Sequence, residues 1–349
     1  MAIPKIDEIF TFAVKHKASD IHLIANLPPI VRIDGVLQRI PSMPVLSPDD
    51  TKALCLGILN DLQKNTYEKS RELDISYEIK DVSRFRVNLL WEKNYAGLVA
   101  RVISTEIPTM EELMMAPIVY DLIDLNQGLI LITGPTGCGK STSLASMIEY
   151  INGQRNSHII TLEDPIEFIY TPKKCLIRQR QLGSDMCDFP EGLKHILRQD
   201  PNVILVGEMR DLETIASTIT LAETGHLVFA TLHTLNAAQS IDRIIDVFPP
   251  YQQSQVRLQL SLFLRGIVSQ ILLPKINGGR IAAREILVNT PAIANLIREN
   301  KVHQIKTAIQ TSSEEGMMTM DQALKQLYQN ELISREVAIS HMANPDMLQ

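Results

Sequence analysis

The stretch Gly128-Leu-Ile-Leu-Ile-Thr-Gly-Pro-Thr-Gly-Cys-Gly-Lys-Ser-Thr142 decides the fold class of this 349-residue chain. Its first half is an uninterrupted apolar run, which is typical of a strand buried on both faces. Its second half fits the pattern G-x-x-x-x-G-K-[ST], a loop whose backbone N–H groups cradle phosphate oxygens. A helix is expected to begin near Lys140, with its positive end toward the same phosphates. The stretch therefore predicts a strand–loop–helix nucleotide site in an α/β fold.

We expect the whole loop to contact nucleotide, through Gly134, Pro135, Thr136, Gly137, Cys138, Gly139, Lys140, Ser141 and Thr142. The Lys140 ammonium is expected to bridge the terminal phosphates, and the Ser141 hydroxyl to bind Mg²⁺. Cys138 occupies a variable position of the motif, so a reactive-thiol role is not expected. ATP and Mg²⁺ are the ligands that this pattern predicts.

Two other predicted strands end in acidic residues, Glu163 after the run 158–162 and Glu208 after the run 203–206. In an open parallel sheet, ligands bind beyond the carboxyl ends of the strands. We expect a carboxylate at Glu163 or Asp164 to orient the attacking water or to hold Mg²⁺ through water, and Glu208 to hold Mg²⁺ partly through water. Arg198 and Arg210 are expected to add charge near the same edge.

The histidines His226 and His233 lie at the two ends of the next apolar run, Leu227–Thr231. Metal binding by this pair is not indicated, because no third ligand follows at a fitting spacing. We expect these side chains to sense phosphate or to couple domains, and we expect His233 to act with Glu163 and Glu208 as a catalytic residue.

The order of predicted elements gives an N-terminal α/β unit over residues 1–105, a linker over 106–118 and an α/β core over 119–349. Apolar arms on both sides of Asp34-Gly35 predict a hairpin, and Ser47 is expected to cap a helix. Further strands of the N-terminal unit are expected at 20–24, 84–90 and 97–103. Parallel strands of the core are expected at 128–133, 158–162, 203–206 and 227–231. Beyond about residue 255 the chain is expected to be mainly helical.

The charge and the apolar pattern bear on location and partners. The net charge is −6, which argues against a general polyanion binder, and nucleic acid is not expected as a partner. No apolar run approaches the roughly 20 residues that span a bilayer. We therefore expect a cytoplasmic protein whose membrane association depends on other proteins.

The motifs, taken in order, resemble the PilT/PilU family of type IV pilus retraction (twitching motility) ATPases, part of the secretion-ATPase superfamily. The resemblance covers nearly the whole chain. It comprises Ser19-Asp-Ile-His22, Gly134–Thr142, Leu162-Glu-Asp-Pro-Ile-Glu167, Leu197-Arg-Gln-Asp-Pro201, Gly207-Glu-Met-Arg-Asp211, Glu223–His233 and Gly316–Leu324.

This resemblance implies a PAS-like N-terminal α/β domain joined to a RecA-like P-loop core with a helical C-terminal region. It implies Glu163 as catalytic carboxylate, Glu208 as an atypical Walker B acid and a histidine box of His226 and His233. Arginines of the N-terminal domain complete the family's nucleotide site, and Arg84, Arg86 and Arg101 match them. It further implies a homohexamer in the cytoplasm, peripherally attached to the inner membrane through a pilus platform protein.

Three alternatives stay open alongside a retraction motor. In Ala292–Glu299, Ala294 replaces an arginine of the family motif, which keeps open an accessory, PilU-like motor working with a paralogous ATPase. A second alternative is an assembly factor that binds ATP without hydrolysis, although the presence of both Glu163 and Glu208 argues against it. A third is a nucleic-acid translocase, which the acidic balance disfavours.

Overall fold

The protein is described from a computed structural model, which covers residues 5–33, 35–80, 82–103 and 106–348. It divides into two compact units. One consists of Met1–Glu106 with Glu167–Ile169, and the other of Ile107–Ile166 with Tyr170–Gln349. Within the described residues, no helix is both long and apolar enough to cross a membrane.

The first unit is a six-stranded antiparallel sheet with three helices. Its elements are α1 (Ile6–Lys15), β1 (Asp20–Leu23), β2 (Ile30–Ile33), β3 (Val36–Arg39), α2 (Pro48–Gly57), α3 (Asp61–Ser70), β4 (Glu72–Ile79), β5 (Ser83–Glu92) and β6 (Tyr95–Ile103). The strand order is β3-β2-β1-β6-β5-β4, and every neighbouring pair is antiparallel.

The core of this unit follows from simple periodicities. Phe85, Val87 and Leu89 of β5 alternate into the interior, as side chains two apart on a strand must. Helix α1 buries Phe10, whose ring centre lies 4.5 Å from that of Phe85. The same alternation leaves the arginines of β5 and β6 on the other face of the sheet.

Most sequence predictions for this unit are confirmed. Strands β1, β2, β3, β5 and β6 occur where alternation predicts them. Ser47 caps α2, since its hydroxyl accepts a hydrogen bond from the Asp50 N–H. The predicted turn at Asp34 lies outside the described residues. Helix α3 was not predicted, because Leu62 and Tyr67 are its only large apolar residues and give no clear period.

The second unit is a seven-stranded sheet surrounded by helices. Its elements are α4 (Pro117–Ile123), β7 (Gly128–Thr133), α5 (Lys140–Gln154), β8 (His158–Glu163), β9 (Leu176–Gln181), α6 (Phe189–Ile196), β10 (Val203–Val206), α7 (Leu212–Glu223), β11 (Leu227–Leu232), α8 (Ala237–Asp246), α9 (Pro250–Phe263), β12 (Leu264–Pro274), β13 (Arg280–Val288), α10 (Pro291–Arg298), α11 (Ile305–Thr311), α12 (Met320–Gln329) and α13 (Arg335–His341).

The strand order in this sheet determines which strand ends lie together. The order is β13-β12-β7-β11-β10-β8-β9, and all neighbours are parallel except β12 and β13. Every residue of β7, β10 and β11 is buried, which confirms the prediction of strands covered on both faces. The carboxyl ends of β7, β11, β10 and β8 therefore lie side by side at one edge of the sheet.

The C-terminal third differs in part from its prediction. The helical region is present from Pro291 onward, but the antiparallel strands β12 and β13 occupy most of residues 264–288, where mainly helix was expected. A short stretch rich in apolar residues, such as Leu264–Leu273, fits a buried helix or a buried strand equally well. In the structure this stretch forms a strand because it pairs with β7.

Candidate functional site

The loop between β7 and α5 has the curvature of a phosphate cradle. Gly134, Gly137 and Gly139 have φ angles of 142°, 79° and 87°, a region that glycine adopts at little cost. At Gly134 space is also limiting, because a Cβ there would overlap the main-chain oxygen of Gln270. Glycine at this position therefore allows the loop to lie directly against β12.

Lys140 is held over this loop. Its ammonium Nζ donates hydrogen bonds to the carbonyl oxygens of Gly134, at 2.8 Å, and Pro135, at 3.1 Å. Helix α5 begins at Lys140, so Ser141 and Thr142 lie in its first turn, where helical N–H groups lack intrahelical partners. The loop thus combines N–H donors, a positive helix end and a cation, which together suit a polyphosphate.

Gln270 of β12 also contacts the loop, and the sequence predictions did not include it. Its Nε2 donates to the Cys138 carbonyl oxygen at 2.8 Å, and its Oε1 accepts from the Ser143 hydroxyl at 2.9 Å. Only 1% of the residue is exposed. The polar pair Ser269-Gln270 between the apolar residues Ile267-Val268 and Ile271–Leu273 was the signal in the sequence that could have identified it.

Glu208, after β10, lies between two side chains with N–H donors. His233 Nε2 lies 3.0 Å from its Oε1, and Arg210 donates to its Oε2 at 2.7 Å. On the other side, Nδ1 of His233 is 3.5 Å from the hydroxyl of Thr136 in the phosphate loop. Because β11 lies between β7 and β10, His233 at its end connects loop and carboxylate.

These contacts determine the charge state of Glu208. Burial raises its pKa, but the hydrogen bond from Arg210 and the charge and hydrogen bond of His233 together outweigh burial. The pKa of Glu208 therefore lies below its ordinary value of 4.5. The same pair raises the pKa of Arg210, mainly through the hydrogen bond to Glu208. The carboxylate is ionised at neutral pH.

Glu163, at the end of β8, is oriented by two neighbours. The Thr161 hydroxyl donates to Oε1 at 2.6 Å, and Gln179 Nε2 donates to the same oxygen at 3.3 Å. The adjacent strand end lies close, since the Gly207 N–H donates to the Leu162 oxygen at 2.8 Å. Glu163 and Glu208 thus follow neighbouring strands at the edge that carries the phosphate loop.

Two predicted residues lie away from this edge. His226 precedes β11, and its Nδ1 lies 3.0 Å from the Leu221 oxygen. A six-residue strand is about 20 Å long, so His226 does not touch a phosphate held by the loop of its own unit. Arg198 is exposed on the 3₁₀ turn Leu197–Gln199, at the opposite end of β10 from Glu208.

The predicted arginines of the first unit lie on β5 and β6. Arg101 donates to Asp20 through Nε at 3.0 Å. Arg86 is directly opposite Arg101 in the register of the two strands, and Arg84 lies two residues before Arg86 on β5. Burial raises the pKa of Asp20, but hydrogen bonds from Ser19 and Arg101 outweigh burial and lower it. On this face of the sheet Asp20 pairs with Arg101, and Glu78 of β4 lies directly opposite Arg84 in the register of β4 and β5.

The donor set at the sheet edge fits Mg²⁺. No cluster of three or more His, Cys, Asp or Glu side chains able to hold a metal occurs in the described parts of the chain. Mg²⁺ typically takes one or two protein oxygens and completes its shell with water and phosphate oxygens. The Ser141 hydroxyl and the ionised Glu208 carboxylate supply oxygens of that kind.

A phosphate loop next to acidic strand ends defines the class of P-loop nucleotide hydrolases. The sequence profile of the family described as "Type II/IV secretion system protein" matches residues 1–338. The chain belongs to that family.

Individual relatives agree with this assignment. The chain is 51% identical to the type IV pilus retractation ATPase PilT of Pseudomonas aeruginosa, over 95% of this chain and 96% of the relative. It is 45% identical to a twitching motility protein of Neisseria gonorrhoeae, over 93% and 87%. A crystal structure of the pilus retraction motor PilT with bound ADP superposes with a TM-score of 0.92 at 44% identity, covering 99% of both chains.

The comparisons confirm two sequence predictions. The fold is that of the secretion ATPases, an N-terminal PAS-like α/β domain and a RecA-like P-loop core with C-terminal helices. The chain is an ATPase. The roles of individual site residues stay predictions.

Proposed function

We propose that this chain is the subunit of a homohexameric, Mg²⁺-dependent ATPase motor that powers type IV pilus retraction and twitching motility. One observation carries the proposal. The phosphate loop, His233, Glu208 and Glu163 follow neighbouring strands, β7, β11, β10 and β8, at a single edge of the sheet. High identity to pilus retraction ATPases over most of both chains supports the choice of motor.

Each residue at this edge receives a role in ATP hydrolysis. Lys140 and the loop N–H groups bind the β- and γ-phosphates, and Ser141 with Glu208 holds Mg²⁺, partly through water. When bound, Mg²⁺ neutralises charge on the phosphate oxygens. Glu163, oriented by Thr161, accepts a hydrogen bond from the attacking water and aligns it with the γ-phosphorus.

His233 is the candidate for reporting phosphate release. It contacts Thr136 of the loop and Glu208 of the metal site, so a change at either contact reaches the other. We assign His226, Arg198 and the arginines Arg84, Arg86 and Arg101 to contacts between domains or between subunits. An arginine that reaches the γ-phosphate stabilises the charge that develops during transfer.

The proposed domain organisation is an N-terminal domain over residues 1–105, a linker over 106–118 and an ATPase domain over 119–349. The linker is expected to be a directed joint. Arg284 of β13 supports this, because its Nη1 donates to the Leu113 oxygen at 2.9 Å. The proposed location is cytoplasmic, at the inner membrane through a pilus platform protein, with no nucleic-acid partner.

The test is ATP hydrolysis by the purified chain over a range of protein concentrations, with mass analysis by size-exclusion chromatography. Turnover per subunit should rise as hexamers form and should be lost in Glu208→Ala. A stable ring that binds ATP without turnover would replace the motor with a nucleotide-gated assembly factor. Turnover that is independent of assembly would exclude the hexameric mechanism.

One observation favours an accessory motor as a second candidate. Ala294 stands where the resembled family motif has arginine, and it is buried on α10, while Arg298 on the same helix is exposed. The arginine of the resembled family motif is thus absent from this helix. Expression in cells that lack both pilus retraction ATPases separates the two candidates, because only a complete motor restores twitching without its paralogue.

A further inference from the structure

Gln270 is buried, and both the nitrogen and the oxygen of its side-chain amide form hydrogen bonds. It lies on β12, next to the strand that leads into the phosphate loop. Its two side-chain hydrogen bonds join partners 132 and 127 residues away, the Cys138 carbonyl and the Ser143 hydroxyl. An amide with no remaining contact to solvent and two specific partners has one orientation.

The direction of this amide follows from its partners. A carbonyl oxygen only accepts hydrogen bonds, so the NH₂ group of Gln270 must face Cys138, and Oε1 is left to accept from Ser143. In a trans peptide the C=O and the following N–H point in opposite directions. Holding the Cys138 oxygen toward β12 therefore turns the N–H of Gly139 away from β12.

The main chain of Gln270 supports the other end of the loop. A Cβ on Gly134 would overlap the Gln270 oxygen, so this residue lies in close contact with the start of the cradle. The Ser143 contact extends the support into the first turns of α5, which begins at Lys140. A single residue of β12 thus holds the loop at its first residue, near its last glycine, and at the following helix.

We propose that Gln270 is a positioning residue for nucleotide binding, which sets the N–H of Gly139 toward the phosphates without touching nucleotide itself. The inference rests on the proposed function of the phosphate loop. It deepens that function by assigning the curvature of the loop to a strand that is distant in sequence but adjacent in the fold.

The experiment compares four variants of the full chain for ADP affinity by calorimetric titration, alongside KM and kcat for ATP. Gln270→Glu keeps an acceptor for Ser143 but places a carboxylate against the Cys138 oxygen, and Gln270→Met removes both contacts. Both variants should weaken ADP binding and raise KM by at least about tenfold, because small misplacements of binding groups are costly.

Ser143→Ala, which leaves the Cys138 contact intact, should weaken ADP binding by less than about threefold, since it removes one neutral hydrogen bond. Gln255→Glu, an exposed position on α9, is the charge-matched control and should bind ADP as the unchanged chain does.

Melting temperatures without nucleotide separate positioning from stability. The proposal is overturned if Gln270→Glu binds ADP as tightly as the unchanged chain. It is also overturned if Ser143→Ala loses as much affinity as Gln270→Glu at the same loss of melting temperature, since the amide would then only stabilise the fold. ADP affinity can be measured whether or not the chain hydrolyses ATP or forms a ring. Failure of the Gln270 proposal can therefore be distinguished from failure of the motor proposal.

Discussion

The Glu208 carboxylate is held at both oxygens, by His233 on one side and Arg210 on the other. Two donors on one acid fix its orientation and keep it ionised, which a metal-binding carboxylate requires. The arrangement also links the acid to the phosphate loop through the His233–Thr136 contact. At the residue scale, the ionisation of Glu208 can therefore be measured through the pH dependence of stability.

Arg210→Ala should destabilise the fold at neutral pH, and this cost should shrink in acid. The folded-state pKa of Glu208 lies below its ordinary value, so its ionic contacts stabilise the fold above about pH 4.5. That contribution is lost as pH falls through the folded pKa. Urea unfolding at pH 6.5 and at pH 4 measures the difference. In a Glu208→Gln background the cost of Arg210→Ala should no longer depend on pH; if it still does, Glu208 is not the titrating partner.

Glu163→Gln should abolish most ATP turnover while nucleotide binding is retained. The amide keeps the size of the carboxylate and can still accept the Thr161 hydrogen bond, but it cannot take a proton from water. General-base groups contribute about 10²- to 10⁴-fold, so kcat should fall by at least about 100-fold with little change in the dissociation constant for ADP. Glu213→Gln, exposed in the first turn of α7, is the control. Wild-type kcat in Glu163→Gln would rule out the assignment.

At the scale of elements, what the sequence predicts depends on how far apart the determinants lie. The phosphate loop and the Ser47 cap each have all their determinants within a few residues, and the structure places both where expected. Gln270 acts across 132 residues, on a strand whose apolar run does not distinguish strand from helix. No pattern within a short stretch of sequence could have predicted that contact.

Strand order is the second property that the sequence leaves open. Acids at strand ends indicate which edge of a parallel sheet carries the site, but they do not say which strands are neighbours. The contact between His233 and Glu208 exists because β11 lies next to β10. Strand β9 was missed because Arg178 and Arg180 interrupt its apolar character, and pairing with β8 overrides this.

A glycine in the phosphate loop before α5 and a glycine near the end of α5 should respond oppositely to alanine. Gly153 is near the end of α5 with open space around its Cα, so Gly153→Ala should stabilise the unit by about 0.5 kcal/mol through helix propensity. Gly134→Ala forces a Cβ onto the Gln270 oxygen at a φ of 142°, and it should destabilise the unit and abolish nucleotide binding. Denaturant unfolding measures both. Equal effects of the two substitutions would contradict the conformations assigned to these glycines.

At the scale of the whole molecule, the two units have separate hydrophobic cores. Phe10, Phe85 and Leu89 belong to the core of the first unit. The main core of the second unit is built from its sheet strands and helices, including Leu131 and Ile204. A unit with its own core is able to unfold on its own, and unfolding is then not a single transition.

Matched core truncations should therefore act on different thermal transitions. Phe85 of β5 and Phe229 of β11 are each fully buried, one in each unit. Replacing either by alanine should cost about 3–5 kcal/mol. Phe85→Ala should lower the transition of the first unit and leave the other in place. Phe229→Ala should lower the transition of the unit that carries the phosphate loop. Calorimetry with and without ADP identifies that second transition, because a ligand that binds only the folded site raises its melting temperature. Two variants that shift every transition equally would show instead that the cores unfold together, and the phosphate loop would then draw its stability from the whole chain.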